Sequence, residues 1–250
     1  MTQEDGNGRD GPARRAGDRG RYGRLSRELV LLAALEVVDR DGLTGLSMRR
    51  LGAELGVEAM ALYRYAPGKD ALLDGLVEMF CLQVDRELAQ GPDRPDGERG
   101  RASGSADGAD WRAGLHRIAR ATHGVALRHP HVVPLLATRL LATPLARRPL
   151  PVLRSDERVL ELLHAAGFGE VDVIRVHRRF TAWLLGFLLV ELRAMDDDPG
   201  EMDPAFRVGL HRIPAGELPR LRATAVRLAD RGGPGELAAG LDALLRGYAA

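Results

Sequence analysis

Four histidines are the first residues whose spacing suggests chemistry. His116 and His123 stand seven apart, on one face of any helix, and His129 and His131 flank Pro130. A zinc site needs three or four converging ligands, oriented by a second set of polar groups. Carboxylates are sparse here before Asp156, and the one cysteine, Cys81, cannot supply a thiolate set. We therefore expect no metal. The chain also has no Gly-rich phosphate loop, no nucleophile elbow and no HExxH pair, so we expect no cofactor and no enzyme activity.

A second cluster holds Tyr63, Arg64 and Tyr65, with Arg49 upstream and Lys69, the only lysine, just downstream. Tyrosine hydroxyls can reach phosphates and their rings can meet thymine methyls, while a guanidinium forks onto guanine or phosphate. One arginine–guanine pair gives about 1–3 kcal/mol of discrimination. The 36 basic and 35 acidic residues leave a net charge of +1. Any nucleic-acid contact must therefore be local rather than the work of a global positive field.

The elements that would carry these residues read as helices. Val30, Ala34, Val37 and Val38 form an amphipathic stripe that predicts a helix over about 25–41, with Gly42 as its stop. Ser47 can cap a second helix that places Met48, Leu51 and Leu55 on one face, and Gly56 can take the left-handed turn that ends it. A short helix near 58–65 follows, which is the spacing of a helix-turn-helix. Within it Leu62 faces inward, leaving Glu58, Ala59, Met60, Ala61, Tyr63, Arg64 and Tyr65 on the outer side. Pro67 and Gly68 break it, and Asp70 opens an amphipathic helix over 70–89.

Further helical patterns run over about 110–128, 131–141, 150–166, 170–195, 215–230 and 234–248, and nothing alternates with period two. The fold class is therefore all-α: an N-terminal three-helix helix-turn-helix domain plus a larger helical domain. We divide the chain into a basic tail at 1–24, with six arginines against four acids, a helix-turn-helix domain at 25–69 and a second domain at 70–250. The tail reads as disordered, and 90–110, almost without apolar residues, reads as a mobile linker. At 45% hydrophobic and 28% charged residues the chain can bury a core. With no signal-like or membrane-length apolar run, it is expected to be soluble and cytoplasmic, with no membrane partner.

The segment from Leu46 to Leu73, LSMRRLGAELGVEAMALYRYAPGKDALL, resembles the DNA-binding domain of the TetR family of bacterial repressors. Leu51-x-x-x-Leu55-Gly56-Val57, Leu62-Tyr63, Tyr65 and the lysine before Leu72-Leu73 carry the likeness. Trp111, Ala137-Thr138-Arg139, Ala166-Gly167-Phe168, Leu185-Gly186 and the helix after Gly235 extend it to the tetracycline-repressor branch. The resemblance implies that Arg49 reads bases and that Tyr63 and Lys69 hold phosphates. Lys69 also precedes a helix N-terminus, which attracts phosphate by itself. The candidate DNA-binding residues are Ser47, Met48, Arg49, Ala59, Met60, Tyr63, Arg64, Tyr65 and Lys69. Ala59, Met60 and Ala61 stand where polar readers could have stood, so contact with thymine methyls is their expected use.

The stretch from Phe180 to Val190 is apolar nearly all round and must be covered on every side. A homodimer covers it, with the last helix (Leu237, Leu241, Leu244, Leu245, Tyr248) completing a four-helix interface between helices 170–195 and 234–248. The resemblance implies the same two helices. It also places a ligand cavity among Leu115, Ile118, Thr122, Leu136, Thr138, Arg139, Val159, Leu163 and Trp183. Where tetracycline binders carry an asparagine and a metal-holding histidine, Ile118 and Leu135 or Leu136 stand here, which disfavours tetracycline–magnesium and favours an apolar or aromatic molecule. The implied function is a ligand-released repressor on palindromic operator DNA. The alternative is a small-molecule binding protein with a vestigial helix-turn-helix. The cluster Arg175, His177, Arg178 and Arg179 is expected to be solvated or salt-bridged.

Overall fold

A computed structural model describes residues 25–90, 110–193, 212–229 and 232–248. The basic tail at 1–24 and nearly all of the linker at 90–110 lie outside the described residues. These form ten α-helices and two short 3-10 turns, with no strand among them.

The reading end is built from α1 (Arg27–Gly45), α2 (Met48–Leu55) and α3 (Ala59–Leu62). Ser26 starts α1 by accepting the Leu29 amide at 3.2 Å, and the expected stripe of Val30, Ala34, Val37 and Val38 is buried together with Leu31 and Leu35. Gly42 interrupts α1 with φ +68° and ψ 177°, a conformation open to glycine alone at low cost, after which the chain makes one more helical turn to Gly45. The stop expected at Gly42 is thus a kink.

Ser47 caps α2, its hydroxyl accepting from the Arg50 amide at 3.2 Å, and Gly56 closes α2 in the left-handed region at φ +66°. The helix expected over 58–65 is shorter. Only 59–62 is α-helical, and the chain then tightens through the Tyr63 amide to Met60 oxygen and the Tyr65 amide to Leu62 oxygen, both three-residue bonds. The Ala66 amide still reaches the Leu62 oxygen, and Pro67 then ends the turn, since it disfavours the helical region for the residue before it.

The long α4 (Lys69–Gln90) packs on α1 along one side and on α5 (Asp110–Arg128), α6 (Val133–Ala142) and α7 (Leu150–Ala165) along another. A 3-10 turn at Pro130–Val132 precedes α6, because Pro130 and Pro134 restrict the chain there. A second 3-10 turn, Leu145–Arg147, leads to α7. Helix α8 (Glu170–Arg193) packs on α5, α6 and α7, and α10 (Gly233–Leu245) lies against α5 and α8. Between them α9 (Pro219–Ala229) is mostly exposed. No helix among the described residues is long and apolar enough to cross a membrane.

Candidate functional site

The two-helix unit presents a polar and apolar mixture outward on a buried base. Leu51 and Leu62 are fully buried and Leu55 nearly so, while Met60 is 78% and Tyr63 45% exposed. Ser47, Arg49, Arg64 and Lys69 are also exposed, and Met48 and Ala59 are half-buried. Leu62 thus faces the core, as its spacing requires.

Arg64 and Tyr65 form one unit. The guanidinium lies 4.7 Å from the centroid of the Tyr65 ring and donates to its hydroxyl at 2.7 Å. Tyr65 is itself half-buried against the core. Its hydroxyl accepts from Arg64: packing holds the ring, and the ring holds the arginine in a defined place. Arg49 has no ion-pair partner among the described residues. Lys69 Nζ donates to the Leu43 carbonyl at 3.3 Å, which ties the start of α4 to the turn after Gly42.

Arg50 is a residue that sequence reasoning missed. It donates to Asp41 Oδ2 at 2.7 Å, and Arg40 donates to the same oxygen at 2.8 Å and to Glu54. The hydrogen bonds that Arg40 donates to Asp41 and Glu54 raise its pKa above the ordinary value. This network joins the end of α1 to α2. Its only signal in the sequence is alternating charge in a short segment.

The nine residues expected around a ligand cavity differ in burial. Leu115, Leu136, Val159 and Leu163 are buried in the continuous core, whereas Ile118, Thr122 and Trp183 are half-buried. Thr122 donates to the Ile118 carbonyl at 2.8 Å. Thr138 is exposed and donates to the Pro134 carbonyl. Arg139 points to α4, with Asp70 at 2.6 Å and Asp74 at 2.9 Å. The two acids of α4 engage the arginine, and the hydrogen bonds it donates to them hold its pKa up.

Along α8, Phe180, Trp183 and Phe187 form an aromatic row with centroids 6.4 and 5.9 Å apart. Beside Phe187 lies His123, whose Nε2 is 2.9 Å from Glu191 Oε2. Both side chains are buried, and the other Glu191 oxygen accepts the Gly233 amide at 3.1 Å. A buried pair of this kind survives only when its remaining polar atoms are satisfied. The histidines considered for metal binding go separate ways: His116 pairs with Asp242, His123 with Glu191, and His129 with Asp39. Among the described residues no three histidine, cysteine or acidic side chains gather as metal ligands. Of the cluster on α8, Arg175 pairs with Asp172, His177 with Asp156, and Arg179 stacks on and donates to Tyr248. Burial pushes the Cys81 thiol up to about 12.

A helix-turn-helix followed by a larger helical domain is therefore the architecture. Residues 30–76 match the family described as bacterial regulatory proteins, tetR family, and residues 104–250 match the tetracyclin repressor-like C-terminal domain. The chain belongs to the TetR family. It is 34% identical over 162 residues to the HTH-type transcriptional repressor DrrR1 of Streptomyces coeruleorubidus, covering 65% of this chain and 52% of that one. It is 30% identical over 167 residues to an HTH-type transcriptional regulator of Saccharopolyspora erythraea, covering 67% of this chain and 61% of that one. The chain thus spans between half and two thirds of the length of these relatives. Among solved structures, a possible TetR family transcriptional regulator from Streptomyces coelicolor A3(2) superposes with a TM-score of 0.66 at 27% identity, over 89% of this chain and 98% of that one. In this TetR-family chain the first match runs from α1 into the start of α4, and the second covers α5 onward.

Proposed function

We propose that the protein is a homodimeric transcriptional repressor that binds palindromic operator DNA through α2 and α3 and leaves it when a small apolar or aromatic molecule enters the helical domain. The observation that carries this reading is the outward set of Arg49, Met60, Tyr63, Arg64 and Lys69 on a unit whose leucines are buried. A helix held in this way can enter the major groove while flanking cations and hydroxyls hold phosphates. One such short helix reads few bases, so a two-fold pair on a palindrome is the working form.

The dimer is supported by a small-residue face. Ala182, Gly186 and Val190 of α8 are exposed at four-residue spacing, as are Gly235, Ala239 and Ala243 of α10. Of the residues expected at this interface, Leu237, Leu241 and Leu245 are fully buried within the protomer, and Leu244 and Tyr248 are half-buried. Small side chains on the free faces let two copies approach closely.

The aromatic row of α8 supports an apolar or aromatic ligand, with the His123–Glu191 pair as the polar end. Release follows from linkage: a ligand that favours misaligned heads weakens DNA binding reciprocally, and about 1–3 kcal/mol of coupling changes affinity 5- to 150-fold. His129, bound to Asp39 of α1, connects the helical domain to the reading end, and Arg139, bound to Asp70 and Asp74, ties α6 to the first turns of α4.

The test is selection of duplexes from a random pool, followed by fluorescence anisotropy at several salt concentrations. Tyr63→Ala and Lys69→Ala should each weaken binding by about tenfold, and Lys69→Ala should lower the salt slope by about one. Unchanged affinity in both variants rejects the interface.

A further inference from the structure

We infer that a second ligand site, distinct from the aromatic row of α8, lies at the junction between the reading end and the helical domain. It is a half-open cavity of about 860 Å³ between the end of α1, the Pro130–Pro134 stretch and the last turns of α8. Its volume is that of a drug-sized pocket. Leu43, Val133, Leu189 and Leu192 supply apolar wall, Thr44 is exposed on its lining, and Val190, at its edge, belongs to the face proposed above for the second copy.

The charges in its wall are already matched. Arg40 is held by Asp41 and Glu54, and Asp41 by Arg40 and Arg50. His131 is half-buried, lines the cavity and has no hydrogen-bond partner among the described residues. A carboxylate or an amine would have to compete with those ion pairs. The chemistry that fits is a neutral molecule with an apolar body and one polar group for the His131 ring.

The wall is mechanically tied to the DNA-reading surface. Leu43 lines the cavity and its carbonyl accepts from Lys69, while Asp41 lines it and accepts from Arg50 of α2. Both follow or precede Gly42, where α1 kinks at φ +68°. A molecule wedged there displaces the turn that positions Lys69 and α2. This regulatory consequence rests on the DNA-binding reading above; occupancy of the cavity does not.

The full chain is titrated with Nile red, a neutral apolar dye bearing one carbonyl acceptor, and its emission shift is followed. Saturable binding should be lost in Thr44→Trp, which fills the cavity from an exposed position, and weakened about fivefold in His131→Leu, the equivalent of one hydrogen bond. The titration is repeated in Trp183→Leu, which removes dye taken up by the aromatic row and should leave the component sensitive to His131 in place. Dye binding that Thr44→Trp leaves unchanged, or that is lost entirely in Trp183→Leu, overturns the site. So does a Thr44→Trp chain that sediments as a smaller species with its dye binding intact, since the cavity is then a contact between copies. With a saturating selected duplex, dye affinity should fall at least fivefold; equal affinity overturns the regulatory coupling. A chain that binds the dye and no duplex keeps the site and overturns the proposed function together with that coupling.

Discussion

His129 joins two helices that meet across the molecule: its Nδ1 lies 2.8 Å from Asp39 Oδ2 of α1, and its Nε2 lies 2.9 Å from Gln83 Oε1 of α4. The second oxygen of Asp39 is buried with no hydrogen-bond partner among the described residues. Asp39 therefore depends on His129. Replacing His129 with alanine should cost about 1–2 kcal/mol in urea unfolding, the price of a partly desolvated carboxylate left unpaired. The double variant with Asp39→Asn should cost less than the two single changes together.

The turn between α2 and α3 has no room for a methyl group. A Cβ on Gly52 would lie 2.8 Å from the Val57 carbonyl oxygen and 3.2 Å from the Ala59 amide nitrogen, both backbone atoms. Alanine normally stabilises a helix by about 0.5–1 kcal/mol over glycine. Here Gly52→Ala should instead destabilise by about 1–3 kcal/mol. Thermal unfolding and duplex binding should both report it.

The buried His123–Glu191 pair makes a sharper prediction. His123→Ala should cost about 3–5 kcal/mol, because it strands a buried carboxylate, whereas His123→Phe with Glu191→Leu should recover much of that loss. Denaturant midpoints at constant slope decide the matter; a single variant as stable as the parent would show that the carboxylate is not isolated.

Cys81 should be silent toward thiol reagents in the folded protein at pH 8, since burial raises its pKa from 9.0 to about 12. The unfolded chain ionises first as pH rises, so the contribution of this thiol to stability is complete below pH 9. It should fall by up to about 1.4 kcal/mol per pH unit between 9 and 12. Cys81→Ser should flatten that part of the stability profile.

For the proposed dimer, Gly186→Arg places a charged side chain on the exposed small-residue face of α8, away from the protomer's own core. Sedimentation should show a monomer with unchanged helicity, and duplex binding should fall by at least tenfold as the paired reading heads separate. A dimer of parental stability would move the interface elsewhere.

Local information in the chain determined the helices, the Ser47 cap, the left-handed Gly56 and the inward Leu62, because capping bonds and apolar periodicity act within a few residues. The family signature around Leu46 to Leu73 was legible for the same reason. The union of Arg64 with Tyr65 and the turning of Arg139 toward α4 were decided by packing. So were the pairings of His129 with Asp39, 90 positions apart, and of His123 with Glu191, 68 apart. No spacing rule selects one carboxylate from 35; only the assembled core fixes which acid each histidine meets, since burial makes an unmatched partner costly.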